Sequence, residues 1–232
     1  VSEISHLTRG WGLTFSDGEA LSADQVVVAN AYQALRFAPL AWLPMQVIRG
    51  QVSEIEVPEG APPLKRVICA GSYAPPALDG IQSFGATFSP NDTACELRED
   101  DHASNLAELA TALPSYVDEL RKAGVDLRPS HLTGRVGFRA ASPDKSPYAG
   151  PVADADEWRR DYAMLGKNAR HIPDKASHHH PGLWVSAAHG SRGLASAPLC
   201  AEVIASRICD EPLPLERELA DPKPLDELLR EV

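Results

Sequence analysis

The run Ala188-His189-Gly190-Ser191-Arg192-Gly193-Leu194 holds two glycines, a hydroxyl, an imidazole and a guanidinium within seven residues. Glycine lets a backbone approach a ligand closely. An alternating apolar run, Gly182 to Ala188, precedes it, and Val203, Ile204 and Ile208 recur on one side of the stretch that follows. The pattern predicts a strand, a tight turn and a helix reaching about Cys209. The first N–H groups of such a helix are unpaired and carry the positive end of its dipole. Arg192 adds a cation. The turn therefore suits a phosphate, or the oxygen of a ring that becomes anionic on reduction. A Gly-rich turn of purely structural purpose is the alternative.

A second segment, Gly134-Arg135-Val136-Gly137-Phe138-Arg139-Ala140-Ala141-Ser142-Pro143-Asp144, alternates as a strand does. Arg135, Gly137 and Arg139 then share one face. Two guanidinium groups on one face suit bidentate capture of a carboxylate. Surface arginines, or partners of Asp144, are the alternative. A third, Gly71-Ser72-Tyr73-Ala74-Pro75, is followed by Gly80 and by Gly85-Ala86-Thr87-Phe88. Tyr73 there places its hydroxyl in a cleft, or serves as a core aromatic with a wet tip.

Other chemistry finds little support. Cys69, Cys95, Cys200 and Cys209 form no CxxC pair and read as unpaired thiols of a reducing compartment. His178, His179 and His180 sit among Pro173, Asp174, Lys175 and Pro181, which predicts a surface loop; no metal site is expected. There is no GxGxxG, P-loop, GxSxG or HExxH, which argues against a hydrolase and against a self-sufficient dinucleotide-binding domain.

The elements that must position these residues are short strands and two helical stretches. Strands are expected at 11–15 and 26–29 around a turn at 16–18, at 47–57 with Gly50 as a bulge or close-approach point, at 67–70, 83–88 and 135–141. Residues 103–123 read as helix through Leu106, Leu109, Ala110, Leu113, Val117 and Leu120, split at Pro114 and ended by Gly124. Residues 153–181 read as a polar surface excursion, and the Pro-rich acidic tail from Asp210 as a surface wrap. Strands, a helical pair, strands and a strand-turn-helix make an α+β (mixed α/β) fold rather than a run of βαβ units.

The chain has 232 residues, 44% of them hydrophobic, enough for one large domain or two small ones. No run is long and apolar enough to span a bilayer, and the N-terminus lacks the pattern of a signal peptide, so a cytoplasmic protein without membrane contact is expected. The net charge of -10 disfavours a nucleic-acid partner when read as one number. By segment it does not, because residues 121–192 carry 12 Lys or Arg against 7 Asp or Glu and the rest of the chain 10 against 25. That basic third fits an anionic ligand or partner, or a solvated face.

In order along the chain, VVVANAY (26–32), LPMQVIRGQVS (43–53), GSYAPPALDG (71–80), FGATFSP (84–90), GRVGFRAASPDKSPYAGPV (134–152) and GLWVSAAHGSRGLASAPLCAEVIASRI (182–208) resemble the C-terminal part of the FAD-dependent D-amino-acid-oxidase-like family. Within it the resemblance is to the oxidoreductase half of bifunctional tRNA-modifying enzymes. It implies a partial FAD-binding domain over 1–44 without its GxGxxG unit, a substrate-binding domain over 45–141, a returning FAD-domain segment over 142–209 and a tail over 210–232. By the same resemblance, His189, Gly190, Ser191, Arg192, Gly193 and Leu194 line the flavin ring. Ala29 and Asn30 lie near the ribose and phosphates, and Arg49, Gly50 and Gln51 lie beside the flavin. Tyr73 and Arg139 hold a substrate carboxylate. The implied reaction is oxidation of the secondary amine of 5-carboxymethylaminomethyl-2-thiouridine at the tRNA wobble position. The implied partners are tRNA and an upstream methyltransferase domain. A stand-alone oxidase of small amines, and a fragment unable to hold FAD, remain the competing expectations.

Overall fold

The computed structural model describes residues 1–165, 167–168 and 177–216. The chain divides into two compact units: residues 1–46 together with those from 139 onward, and Val47–Phe138.

In the first unit, β1 (Glu3–His6), β2 (Trp11–Thr14) and β3 (Ala20–Ala23) form an antiparallel meander, and β4 (Val26–Val28) joins a second sheet. Two 3-10 turns, Ala31–Arg36 and Ala38–Leu40, lead to the second unit. There β5 (Gln46–Glu56), β6 (Ile68–Ala70), β7 (Ser72–Ala74), β8 (Ile81–Gly85) and β9 (Ser89–Pro90) precede α1 (Glu99–Ala112), α2 (Pro114–Lys122) and β10 (Thr133–Ala141). The sheet order is β10-β5-β8-β7-β6, with β9 also on β5. The chain then returns to the first unit through β11 (Tyr148–Ala153), α3 (Ala155–Asp161), β12 (His179–Ala187) and α4 (Gly193–Cys209). This is the mixed α/β arrangement that the sequence predicts.

Local chemistry explains most element ends. Pro114 occupies the first position of α2, where a missing N–H costs nothing, so the predicted helix breaks in two there. Glu99, Asp100 and Asp101 sit in the first turn of α1, matching the positive end of its dipole. Asp154 caps α3, accepting from the N–H groups of Asp156 (3.1 Å) and Glu157 (3.0 Å).

The predicted surface excursion over 153–181 therefore includes a capped helix; its residues 166 and 169–176 lie outside the described ones. The predicted loop at His178–His180 is corrected. His179 and His180 begin β12, and the His180 ring meets Trp11 edge-on at 5.8 Å. Pro181 and Gly182 disguise the start of that strand, as Gly150 and Pro151 disguise all of β11. Residues 217–232 of the expected surface tail lie outside the described residues.

Each unit has its own core. In the first, Ile4, Trp11, Val26, Val28, Phe37, Leu40, Val152, Leu183 and Val185 are buried together. Trp11 is 1% exposed and spends its one polar atom on the Pro181 carbonyl at 2.8 Å. In the second, Ile55, Phe84, Leu109, Val117, Leu120 and Leu132 clamp α1 and α2 onto the sheet. Each buried side chain of this size contributes about 1.5–3 kcal/mol.

Candidate functional site

In the first unit the sheet order is β11-β12-β4, with β4 parallel to β12 and Val28 opposite Val185. Parallel strands deliver their following loops to the same sheet end, where open α/β sheets bind ligands. The two loops here are Ala29-Asn30-Ala31 and Ala188-His189-Gly190. Ala31 (φ 53°) and Ala188 (φ 59°) both adopt the left-handed conformation, at a cost of about 1–2 kcal/mol each. Asn30 precedes the 3-10 turn without using its side chain as a cap, and both Ala29 and Asn30 are exposed.

The second loop is tied down from several sides. Gly190, at φ 57°, donates its N–H to the Ala140 carbonyl at 2.7 Å, and Ala141 bridges His189. His189 Nδ1 lies 2.9 Å from Ser196 Oγ, and Nε2 lies 3.2 Å from Ser186 Oγ. Burial of the imidazole disfavours its cationic form and lowers its pKa. Among the described residues no side chain caps α4, which begins at Gly193 after an exposed Arg192. A Cβ on Gly193 would meet His189 Cβ at an ordinary 3.5 Å, so the protein's own packing tolerates a side chain there. Leu194 is 99% exposed, a fully bare apolar side chain on the first turn of a helix.

Arg139 reaches this loop through the backbone. It lies two residues before Ala141 on the end of β10, so both side chains leave the same face of that strand. Its neighbour Ala140 accepts the Gly190 N–H. Arg139 Nη1 is buried and has no hydrogen-bond partner among the described residues. An unpaired buried donor costs about 1–3 kcal/mol, more when charged, so the position is unfavourable until an acceptor arrives. Arg135, in the second unit, is exposed. No salt bridge joins Asp144 to either arginine among the described residues; Asp144 takes bonds from Ser142 Oγ (2.8 Å) and the Ser146 N–H (3.0 Å).

The structure thus gathers Ala29, Asn30, Arg139 and His189–Leu194 in the first unit. It places Tyr73, Arg49, Gly50 and Gln51 in the second. Tyr73 pairs with Cys69 on β6 and Gly85 on β8 and is 38% exposed, which excludes the core-aromatic alternative.

Arg49 and Gln51 are wholly buried, and their side chains are committed to the protein itself. Arg49 donates to Asp101 Oδ2 (2.5 Å), the Ala94 and Glu96 carbonyls (2.8 and 2.6 Å) and Gln51 Oε1 (3.0 Å). Gln51 Oε1 also accepts from the Arg98 N–H, and Nε2 donates to the Arg98 carbonyl. These two side chains pin residues 94–101 to β5. The Gln51 backbone is committed as well, its N–H to Thr87 Oγ1 (3.0 Å) and its carbonyl to the Thr87 N–H (3.2 Å), where β5 changes partner from β9 to β8.

Four positioning residues have no signal in the sequence. Ser53, His102 and Asn105 form a buried network under β5: Ser53 Oγ lies 2.8 Å from His102 Nδ1, and Asn105 Nδ2 donates to Ser53 Oγ and to the Gln51 carbonyl. Asp101, one turn earlier on α1, holds Arg49. Only pairing across the fold brings these groups together.

Comparison with known proteins places the chain in a family. The family described as FAD dependent oxidoreductase (DAO) matches residues 1–207. The tRNA 5-methylaminomethyl-2-thiouridine biosynthesis bifunctional protein MnmC of Chromohalobacter salexigens is 61% identical over 91% of this chain, and that of Pseudomonas putida 38% over 95%. The chain spans about a third of these relatives, 30% and 33% of their lengths. Glycine oxidase from Geobacillus kaustophilus superposes with a TM-score of 0.67 at 18% identity, over 96% of this chain and 51% of that one. Iminodiacetate oxidase from Chelativorans gives 0.62 at 19%, over 95% and 52%. These two share the fold. The family match over residues 1–207 leads to one conclusion: the chain belongs to the FAD-dependent oxidoreductase (DAO) family.

Proposed function

We propose that this chain is the oxidoreductase part of a longer cytoplasmic tRNA-modifying enzyme. It oxidises the secondary amine of 5-carboxymethylaminomethyl-2-thiouridine at the wobble position and releases glyoxylate. The observation that carries the chemistry is Arg139 Nη1, buried without an acceptor among the described residues, on the strand that bonds to the Ala188–Gly193 turn. A substrate carboxylate supplies the missing acceptor in a bidentate, charge-assisted pair.

The residues present fit FAD at its ring end. An uncapped helix start, the Arg192 cation and the bare Leu194 side chain are groups that a bound ring would satisfy or cover. His189, Gly190, Ser191, Arg192, Gly193 and Leu194 would hold the ring. Ala29 and Asn30 would lie towards the ribose and phosphates. When bound, FAD supplies the hydride acceptor. Arg139 would fix the carboxylate and so aim the carbon between carboxylate and amine; this alignment is its catalytic contribution. That carbon loses a hydride as the nitrogen lone pair forms the C=N bond. Water adds to the carbon, the C–N bond breaks, and glyoxylate leaves an aminomethyl group on the base.

The RNA substrate is supported by the names of the relatives and by the excess of Lys and Arg over residues 121–192. A methyltransferase domain upstream accords with their description as bifunctional. The test is glyoxylate release by the full-length protein with FAD. We expect release from tRNA bearing the carboxymethylaminomethyl group, falling steeply as salt rises. Equal turnover of free glycine or sarcosine, insensitive to salt, would replace this reading with a small-amine oxidase.

A further inference from the structure

An imidazole in a redox turn invites the role of proton acceptor, yet both His189 ring nitrogens already face hydroxyl groups. Nδ1 lies 2.9 Å from Ser196 Oγ, and Nε2 lies 3.2 Å from Ser186 Oγ. Ser196 stands in the first turn of α4, and its Oγ is also 3.2 Å from the carbonyl of Arg192, four residues back. That is the back-bond a helical serine commonly makes.

A hydroxyl has one proton to give. With that proton on the Arg192 carbonyl, Ser196 Oγ faces His189 as an acceptor, so Nδ1 must carry a hydrogen. A neutral imidazole has only one N–H. Nε2 is therefore bare, and Ser186 donates to it. The three bonds run in one sense: Ser186 O–H to Nε2, Nδ1–H to Ser196 Oγ, Ser196 O–H to the Arg192 carbonyl. Each polarises the next. Burial, which disfavours the imidazolium, agrees with a neutral ring.

We infer that Ser186 and Ser196 are positioning residues that hold His189 as the Nδ1–H tautomer, tie the end of β12 to the first turn of α4, and leave His189 no nitrogen with which to move a substrate proton. Together with the bond from Gly190 N–H to the Ala140 carbonyl, the relay fixes a turn whose Ala188 is held at φ 59°. Its effect on the flavin rests on the cofactor reading proposed above. The relay itself does not.

The experiment is ring-15N NMR of the full-length protein labelled at histidine, with His189 assigned by its loss in His189→Gln. The wild type should show protonated Nδ1 and bare Nε2. Ser196→Ala removes the acceptor of Nδ1–H, so Ser186 turns round to accept from Nε2 and the tautomer switches. Ser196→Thr, which keeps a hydroxyl, restores the wild-type signals. Ser186→Ala leaves Nδ1 protonated. In the FAD-loaded protein, the reduction potential should fall in Ser196→Ala and recover in Ser196→Thr. A wild-type ring protonated at Nε2, or a Ser196→Ala ring still protonated at Nδ1, overturns the relay. The expected tautomers in a wild-type protein that forms no glyoxylate leave the relay standing and remove the oxidase reading.

Discussion

Replacing Arg139 with Met separates recognition from folding. In the unliganded protein, Nη1 is buried without a partner among the described residues, a burden of about 1–3 kcal/mol. Met keeps most of the side-chain stem and discards the unpaired donor. Stability should hold or rise by about 1 kcal/mol, an increase of roughly 2–4 °C in Tm for a domain of this size. Recognition moves the other way. Two charge-assisted hydrogen bonds to a carboxylate, at about 2 kcal/mol each, amount to about 4 kcal/mol. At 1.36 kcal/mol per decade, kcat/KM falls about a thousandfold. Arg139→Lys keeps the charge but loses the planar fork, so it should recover only part of that loss. Glyoxylate release and thermal melting are read on the same preparations, with flavin absorbance confirming equal loading. A Met variant within about threefold of wild-type kcat/KM, or a Tm lower by more than about 5 °C, would show that Arg139 holds the fold rather than a substrate.

The other arginine behaves oppositely. Arg49→Met strands Asp101 and leaves the Ala94 and Glu96 carbonyls without their donor. Breaking a buried pair this way costs about 3–5 kcal/mol, and an unchanged urea midpoint would refute it. Gly134→Ala should unfold the protein or cost more than about 3 kcal/mol, because a Cβ at φ 156° would stand 2.0 Å from the Val52 carbonyl oxygen. Gly137→Ala on the same strand meets nothing within 4 Å and should be nearly neutral; equal losses in the two would contradict this account.

The buried imidazole of His102 has its pKa lowered by desolvation from the ordinary 6.5. Between the folded and unfolded values the unfolded chain binds more protons, so this stability is present above pH 6.5 and is lost as pH falls below it. The drop in urea midpoint between pH 7.5 and pH 5.5 should therefore shrink in His102→Gln, and an undiminished drop rules His102 out as its source.

What the sequence determines here is local. The β12–turn–α4 unit is legible because an apolar alternation, two glycines and a helical stripe lie within thirty residues and need no partner to define them. The break at Pro114 is legible for the same reason, since the lost N–H acts on its own helix. Residue chemistry made function readable as residue types, a guanidinium able to grip an acid and a turn able to hold an anion, while the resemblance of the motifs in order along the chain named the family. Tertiary structure alone decided which of these meet. Trp11 reaches across 170 residues to Pro181, and β4 lies parallel to β12 although the whole second unit separates them in sequence. The same pairing logic spends Arg49 and Gln51 on residues 94–101, leaves Arg139 Nη1 without an acceptor beside the turn, and turns Ser186 and Ser196 towards one imidazole. The reason is physical. Periodicity reports which face of an element is apolar, whereas a hydrogen-bond partner depends on angstrom-scale approach between segments distant in the chain.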